Sequence, residues 1–286
     1  MAATRLAEED FRRTFASVIA PTDRAIVIFS GLWTFAHQFG WSVKKTPLRL
    51  LDLIEEVVGA ERTLIFPTFT FLSFARSRTF DLVRSPSEVG VLSRVATGRA
   101  GYVRTRRPMN SYAVKGPLAA DVAALPCTTA WGDAGVMGWM QANDVRFIVL
   151  GIPWADGCSI VHRPEEMERV PYRYFKRFKG RLLDDGAPLG ECEEVMYVRS
   201  LTVSPEFDFT PGTRALERRG RLRSGDNPLI PVASATATDI VAIVSELLRD
   251  DPYAFIANRD AVAAWVADGK VREIASLKPD ERVAIA

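Results

Sequence analysis

Imidazole is the side chain whose charge changes near neutral pH, so the two histidines of this chain are the first candidates for acid–base chemistry. His37 sits in the aromatic stretch Trp33-Thr34-Phe35-Ala36-His37-Gln38-Phe39 and reads as a packed or solvent-facing residue. His162 is placed differently. It follows the apolar run Val145 to Leu150, Gly151 and the loop Pro153-Trp154-Ala155-Asp156-Gly157-Cys158, and Glu165 and Glu166 come just after it. Sites in open α/β sheets form at the carboxyl ends of strands. A carboxylate beside a histidine fixes its tautomer and offsets the imidazolium, which makes a general base. On a continuous helix His162 and Glu165 share a face at i,i+3. Pro164 complicates this, because it indicates a helix that starts here or is distorted. In that case Glu165 and Glu166 read equally as first-turn acids favoured by the helix dipole. Which glutamate partners the histidine stays open.

Other chemistries have thinner support. Cys158 and His162 are four residues apart, which suits a thiol nucleophile or a metal pair, but no second Cys- or His-rich cluster completes a metal site. No metal is therefore expected. The loop after the first strand is neither G-x-G-x-x-G nor a Walker A sequence, so nucleotide-binding folds of those kinds are not indicated.

The elements that must hold these residues are legible in outline. Glu8 to Ile19 has helical spacing, with Phe11, Phe15 and Ile19 four apart. Ala25 to Phe29 reads as a buried strand ending in Ser30-Gly31. Pro47 to Val58 is an amphipathic helix with Pro near its start and Gly59 just past its end. Thr63 to Phe71 is a second strand that bends or stops bonding at Pro67. Strand, helix, strand in this spacing predicts an α/β fold. Residues 72–142 read as irregular loops around a cleft, and Val145 to Leu150 as a further buried strand. Arg181 to Arg199 predicts a hairpin turning near Asp185-Gly186. Thr238 to Leu248 and Asp260 to Val266 are late helices. No repeat or linker marks a boundary, so residues 1–286 read as one domain with a core at about 24–180 and an elaboration at about 181–286.

Composition excludes some classes. With 286 residues, 48% hydrophobic and 25% charged, the chain can bury a large core without metal or disulfide. Its three cysteines, Cys127, Cys158 and Cys192, form no C-x-x-C pair and fit a reducing compartment. The first residues lack an apolar signal region, and no run approaches the ~20 apolar residues of a membrane helix. The expectation is a soluble, cytoplasmic protein with neither membrane nor nucleic acid as partner. The net charge of +2 hides clusters: four arginines and no acid from Arg99 to Arg107, and five Lys/Arg and no acid from Val170 to Arg181. Such clusters suit phosphate-bearing small molecules or, more blandly, a solvated basic surface.

Beyond these local signals, the sequence resembles the aminoglycoside 3-N-acetyltransferase family over roughly residues 24–180. The family's His-Ser-Ser-Leu element is Phe29-Ser30-Gly31-Leu32 here. Its Val-Gly-x-x-Gly-Thr-Leu-x-x-Pro-Thr-Phe-Thr stretch corresponds to Val58 through Thr70, including Pro67, Thr68 and Phe69. Phe80-Asp81 and Ser85-Pro86-Ser87-Glu88-Val89-Gly90-Val91-Leu92-Ser93 match its Phe-Asp…Pro-Ser-x-x-Gly-x-Leu-Ser run. His-Pro-x-x-Ser is replaced by Arg107-Pro108-Met109-Asn110-Ser111. Leu150-Gly151…Ser159-Ile160-Val161-His162-Arg163-Pro164-Glu165 matches Leu-Gly…Thr-x-x-His-x-x-Glu.

The resemblance implies a three-layer α/β/α body around a mixed central sheet, with acetyl-CoA or another acyl-CoA as co-substrate. It implies His162 as base and Glu165 as its partner. The pantetheine arm is expected near Ser30, Gly31, Leu32 and Trp33 and near Met109, Asn110, Ser111 and Tyr112. Backbone N–H groups there, with the Ser111 hydroxyl, would hold the thioester oxygen. Without the resemblance, Ser30 and Gly31 read as a plain strand-end turn and Ser111 as a satisfied loop hydroxyl. Thr68, Phe69, Arg107, Tyr172, Arg173 and Tyr174 are the expected acceptor contacts. The segment Val170 to Lys176 is similar to a branch acting on nucleotide-linked amino sugars in surface-polysaccharide or unusual-sugar synthesis. Together with the cation clusters, this makes a nucleotide-linked amino sugar the expected acceptor. An aminoglycoside antibiotic is the alternative, as is a non-catalytic CoA-binding relative. The sequence leaves room for a homo-oligomer.

Overall fold

Strand β1 (Ala25–Ser30) is an apolar run buried on both faces. Side chains of a strand alternate between faces, so Ala25, Val27 and Phe29 enter one apolar cluster while Ile26 and Ile28 enter another. Burial on both sides belongs to strands covered by helices above and below. That is the architecture of the computed structural model, which describes residues 5–126 and 129–283. Cys127 lies outside the described residues.

The further strands are, in chain order, β2 (Thr63–Pro67), β3 (Thr79–Asp81), β4 (Val103–Arg104), β5 (Tyr112–Lys115), β6 (Arg146–Leu150), β7 (Arg173–Asp184), β8 (Ala187–Arg199), β9 (Arg223–Ser224) and β10 (Val232–Thr236). The central sheet runs β4-β5-β2-β1-β6-β10-β9. β1 lies parallel to β2 and β6, whereas β5 and β10 are antiparallel to β2 and β6. The sheet is therefore mixed. Helices Glu8–Ser17 and Thr46–Val58 cover one face through Phe11, Phe15, Leu50 and Ile54. Helices Val136–Ala142 and Ala237–Asp250 cover the other through Met137, Met140, Ile240 and Val244. Three layers, α/β/α, result. Thr236 ends β10 and caps the helix that follows, its hydroxyl accepting from the Asp239 N–H.

A second sheet, β3-β7-β8, is built on the hairpin. Asp185 and Gly186 both have positive φ (46° and 87°), as a two-residue hairpin turn requires. The hairpin begins at Arg173, not Arg181, so its first strand carries Arg173 and Tyr174 in its opening register.

Two other expectations change. Residues 72–142 are not mainly loop. Among them are helices Val91–Thr97, Ala119–Ala124 and Val136–Ala142, nearly all of a helix at Phe71–Ser77, and the strands β3 to β5. Elements of at most seven residues carry too little periodicity to stand out in sequence. Part of the expected C-terminal elaboration is core, because β10 pairs with β6 along its whole length.

Candidate active site

β1 and β6 end side by side. Gly31 donates its N–H to the Leu150 carbonyl at 2.9 Å, and a Cβ on Gly151 (φ +75°) would sit 2.1 Å from the Gly31 carbonyl oxygen. Only a residue without a side chain lets the two strand ends cross this closely. After Gly151 the chain makes a short helix (Trp154–Gly157), a 3-10 turn (Ser159–Val161) and a helix that starts at His162 (His162–Met167). Pro164 thus falls in a first turn, where a missing N–H costs nothing. Arg163 fastens this turn from below. It is buried and donates to the carbonyl of Trp131 at 2.7 Å and to Asp133 at 2.6 Å.

His162 Nδ1 lies 2.5 Å from Glu165 Oε2, the i,i+3 pairing expected of a continuous helix. The Glu165 carboxylate is fully buried and has partners on both oxygens. Oε1 accepts from the Tyr172 hydroxyl at 2.7 Å, and Oε2 also lies 2.9 Å from Arg173 Nη2. Burial alone would raise this carboxyl. The Arg173 guanidinium and the hydrogen bonds from His162 and Tyr172 outweigh it and hold the group down at about 2. Burial raises the Glu166 carboxyl, outweighing the Thr129 hydroxyl and the Arg169 and Arg163 guanidinium groups that pull the other way. Of the two glutamates, Glu165 is the partner.

The ring of His162 is about a quarter exposed, with Trp131, Phe207 and Phe209 packed around it at centroid distances of 5.4–6.0 Å. Its proton affinity is lowered from the ordinary 6.5, first by burial and then by the nearby Arg173 guanidinium, against the opposite pull of Glu165. The ring opens on a cavity of ≈ 390 Å³. Phe29, Pro67, Phe69, Phe71 and Val89 give this cavity an apolar wall, and Ser30, Ser93, Asp156, Cys158 and Ser159 supply its polar groups. Cys158 is buried, and burial pushes its thiol far above the ordinary value, away from the thiolate a nucleophile needs. Among the described residues no group of three or more His, Cys, Asp or Glu is placed to hold a metal ion.

The sequence profile of the aminoglycoside 3-N-acetyltransferase family matches residues 36–249. The chain belongs to that family. A search of curated proteins finds no match. Among solved structures it is similar to a histidine-to-alanine mutant of the aminoglycoside acetyltransferase AAC(3)-IVa in complex with a gentamicin. The two share 20% identity over 91% of this chain and 95% of that one, with a TM-score of 0.69. It is similar also to AAC-IIIb in a binary complex with CoASH, at 17% identity over 86% and 97% and a TM-score of 0.69. YokD protein from Bacillus subtilis shares 13% identity over 87% and 95%, with a TM-score of 0.69. The chemistry of the aminoglycoside 3-N-acetyltransferase family is N-acyl transfer, and its co-substrate is acetyl-CoA.

The cavity suits the thioester end of that co-substrate. Its wall is largely apolar, Ser30 lies on it, and the buried Ser159 hydroxyl on the same wall has no hydrogen-bond partner among the described residues. The family's first histidine is replaced by Phe29, which becomes cavity wall and stacks on Phe147. Of the other residues expected at the site, Ser30 and Phe69 share this cavity with His162. Leu32 packs against the core on one sheet face, and Trp33 is 89% exposed at a separate hollow with Arg5, His37 and Trp41.

The segment Met109 to Tyr112 is buried and occupied elsewhere. The N–H groups of Met109 and Asn110 donate to Glu194 at 2.8 and 3.2 Å, and the Ser111 hydroxyl donates to the Thr68 carbonyl at 2.6 Å. These groups are committed to the fold, so the structure does not present them as an oxyanion site. Thr68 is fully buried in the same network. Arg107, which stands in place of the family's second histidine, is buried against Glu194 at 3.2 Å. Tyr174 is buried and its hydroxyl donates to Glu273 at 2.9 Å. Tyr172 and Arg173 lie beneath the His162–Glu165 pair and not in the cavity. Glu194 and Asp156 carried no signal in the sequence, since neither falls in a recognisable motif.

Among the described residues no helix is long and apolar enough to cross a membrane.

Proposed function

We propose that this chain transfers a short acyl group from acyl-CoA to an amine by direct attack, with His162 as general base and Glu165 as its orienting carboxylate. The observation that carries the proposal is the 2.5 Å bond from His162 Nδ1 to a buried Glu165, on a ring that opens into the cavity at the strand ends. When bound, acyl-CoA supplies the activated acyl thioester. An ammonium has no lone pair, so the amine attacks in its neutral form. As its nitrogen bonds to the acyl carbon, the carbon–sulfur bond breaks, CoA leaves as the thiolate, and the nitrogen gives up a proton. Nε2 is the ring nitrogen left to take that proton, because Nδ1 is engaged with Glu165. The carboxylate offsets the charge that then develops on the ring. The apolar wall excludes water from the thioester. Transfer through Cys158 is disfavoured because its buried thiol resists ionisation.

For the acceptor we infer the amino group of an aminoglycoside-type amino sugar, the class carried in the family's name and present in the gentamicin-bound relative. The nucleotide-linked acceptor expected from the sequence rested on the similarity of Val170 to Lys176 to that branch and on free cations, and several of those cations have carboxylate partners. Arg99 binds Asp52 and Glu55, Arg107 binds Glu194, Arg173 binds Glu165 and Lys176 binds Glu281. Asp156 on the cavity wall offers a carboxylate to a further ammonium of the acceptor.

Two measurements test this reading. His162→Asn should lower acyl transfer by about 10²–10⁴-fold while CoA binding by calorimetry changes little. Near-normal turnover in the folded variant would end the assignment. Comparing kcat/KM for gentamicin-type aminoglycosides and for nucleotide-linked amino sugars tests the acceptor, and a clear preference for the latter overturns it.

A further inference from the structure

Arg173 opens strand β7 and projects beneath the site. Its side chain is 4% exposed, and its guanidinium lies 5.6 Å from the Trp131 ring centroid and 5.0 Å from that of Phe207. Nη1 donates to the Tyr197 carbonyl at 3.0 Å, which fixes the fork. Nη2 lies 2.9 Å from Glu165 Oε2 and 3.0 Å from His162 Nδ1. Three polar atoms thus meet at one point: a guanidinium nitrogen that can only donate, a carboxylate oxygen that can only accept, and an imidazole nitrogen that can do either.

We propose that Arg173 is the positioning residue of this site, holding Glu165 as an anion and thereby fixing His162 as the Nδ1–H tautomer with Nε2 bare toward the cavity. This rests on the assignment of His162 as the base. The alternative arrangement, with Arg173 donating to Nδ1, would place the proton on Nε2 and leave the ring unable to accept one. The shorter 2.5 Å contact to Glu165 favours the first arrangement. A fixed cation this close also opposes charging of the ring. The groups around His162 are Glu165 on its own helix, Tyr172 and Arg173 from the start of the hairpin, Arg199 from β8, and Asp156 and Cys158 on the cavity wall. Of these, Glu165 raises the proton affinity of the ring, while Arg173 and Arg199 lower it.

The chain holds two histidines, so an imidazole ¹⁵N spectrum carries two sets of signals and His37 is an internal control. In the wild-type protein without substrate, His162 should show a protonated Nδ1 and a bare Nε2. Arg173→Gln keeps a donor toward Glu165 and removes the cation. It should raise the His162 titration midpoint by about one unit or more, the scale of a single close charge, and move the acid limb of kcat upward with it. Arg173→Lys keeps the cation and should titrate within about half a unit of wild type. His37 should not move in either variant. A wild-type Nε2–H tautomer overturns the proposal, as does an Arg173→Gln protein that titrates like wild type. Should Arg173→Gln fail to fold, the wild-type tautomer and Arg173→Lys decide it, and a Lys variant shifted upward by a unit refutes it. The titration needs no substrate, so a protein that transfers no acyl group leaves this result standing and fails the functional reading alone.

Discussion

Replacing Glu165 with Gln tests fold and chemistry at one position. Glutamine keeps the shape of the side chain but behaves as a permanently protonated glutamate. It leaves Arg173 buried without its anion and sets an NH2 group against donors that all point inward. The folded carboxyl is held at about 2 against an ordinary 4.5. A depressed carboxyl contributes stability that is fully present above its unfolded value and is lost as pH falls from there toward the folded value. At ~1.4 kcal/mol per unit, the contribution is about 3 kcal/mol. Glu165→Gln should therefore unfold about 3 kcal/mol more easily in urea at pH 7, and by less than about half that margin at pH 3. In the same variant kcat should fall roughly 10²–10⁴-fold, since the base loses its orienting partner. A variant within ~0.5 kcal/mol of wild type at pH 7 and within about fivefold in kcat would falsify the coupling of Glu165 to His162.

Other consequences are open to simpler measurements. Because the proton affinity of His162 is lowered, its neutral form persists into mild acid, so kcat at saturating substrates should stay flat from pH 8 down to neutrality and fall on a limb centred below 6.5; a limb centred above 7 contradicts this. Cys158→Ser should keep most activity, and mass spectrometry under turnover should find no acylated cysteine; a trapped acyl-cysteine would restore the thiol route. Glu194→Ala leaves the buried Arg107 without its carboxylate and two backbone N–H groups without their acceptor, so it should cost about 3–5 kcal/mol. Thermal unfolding should report that as a fall in Tm of about 10 °C, and a change of a degree or two would show the pair to be dispensable.

The parts of the site that sequence reveals are the local ones. His162 and Glu165 are three residues apart, on a helix that begins just past a strand, and each of those signals lies within a short window. The α/β class followed from β1, the helix Thr46–Val58 and β2 for the same reason. A run of arginines announces charge but not burial, so sequence alone does not show which of these cations the fold pairs. Arg107 finds Glu194 87 residues away, and Arg173 turns under its own strand toward Glu165. The Met109 and Asn110 N–H groups look free in the sequence because their acceptor, Glu194, is distant along the chain and reaches them only through the docking of the hairpin against the body. The extent of that hairpin was underestimated because β7 opens with Arg173-Tyr174-Phe175-Lys176, which lacks a clean polar–apolar alternation.

The place of β10 has a consequence for synthesis. β6 carries the loop that leads to His162, yet its second neighbour in the sheet is Val232–Thr236. As the chain leaves the ribosome, β6 stands with one flank of backbone donors and acceptors unpaired until that segment arrives. At ~5–20 residues per second the wait is on the order of ten seconds. An open, apolar strand edge is a template for pairing with other chains. Nascent chains stalled before Val232 should therefore depend on chaperones far more than the finished protein does.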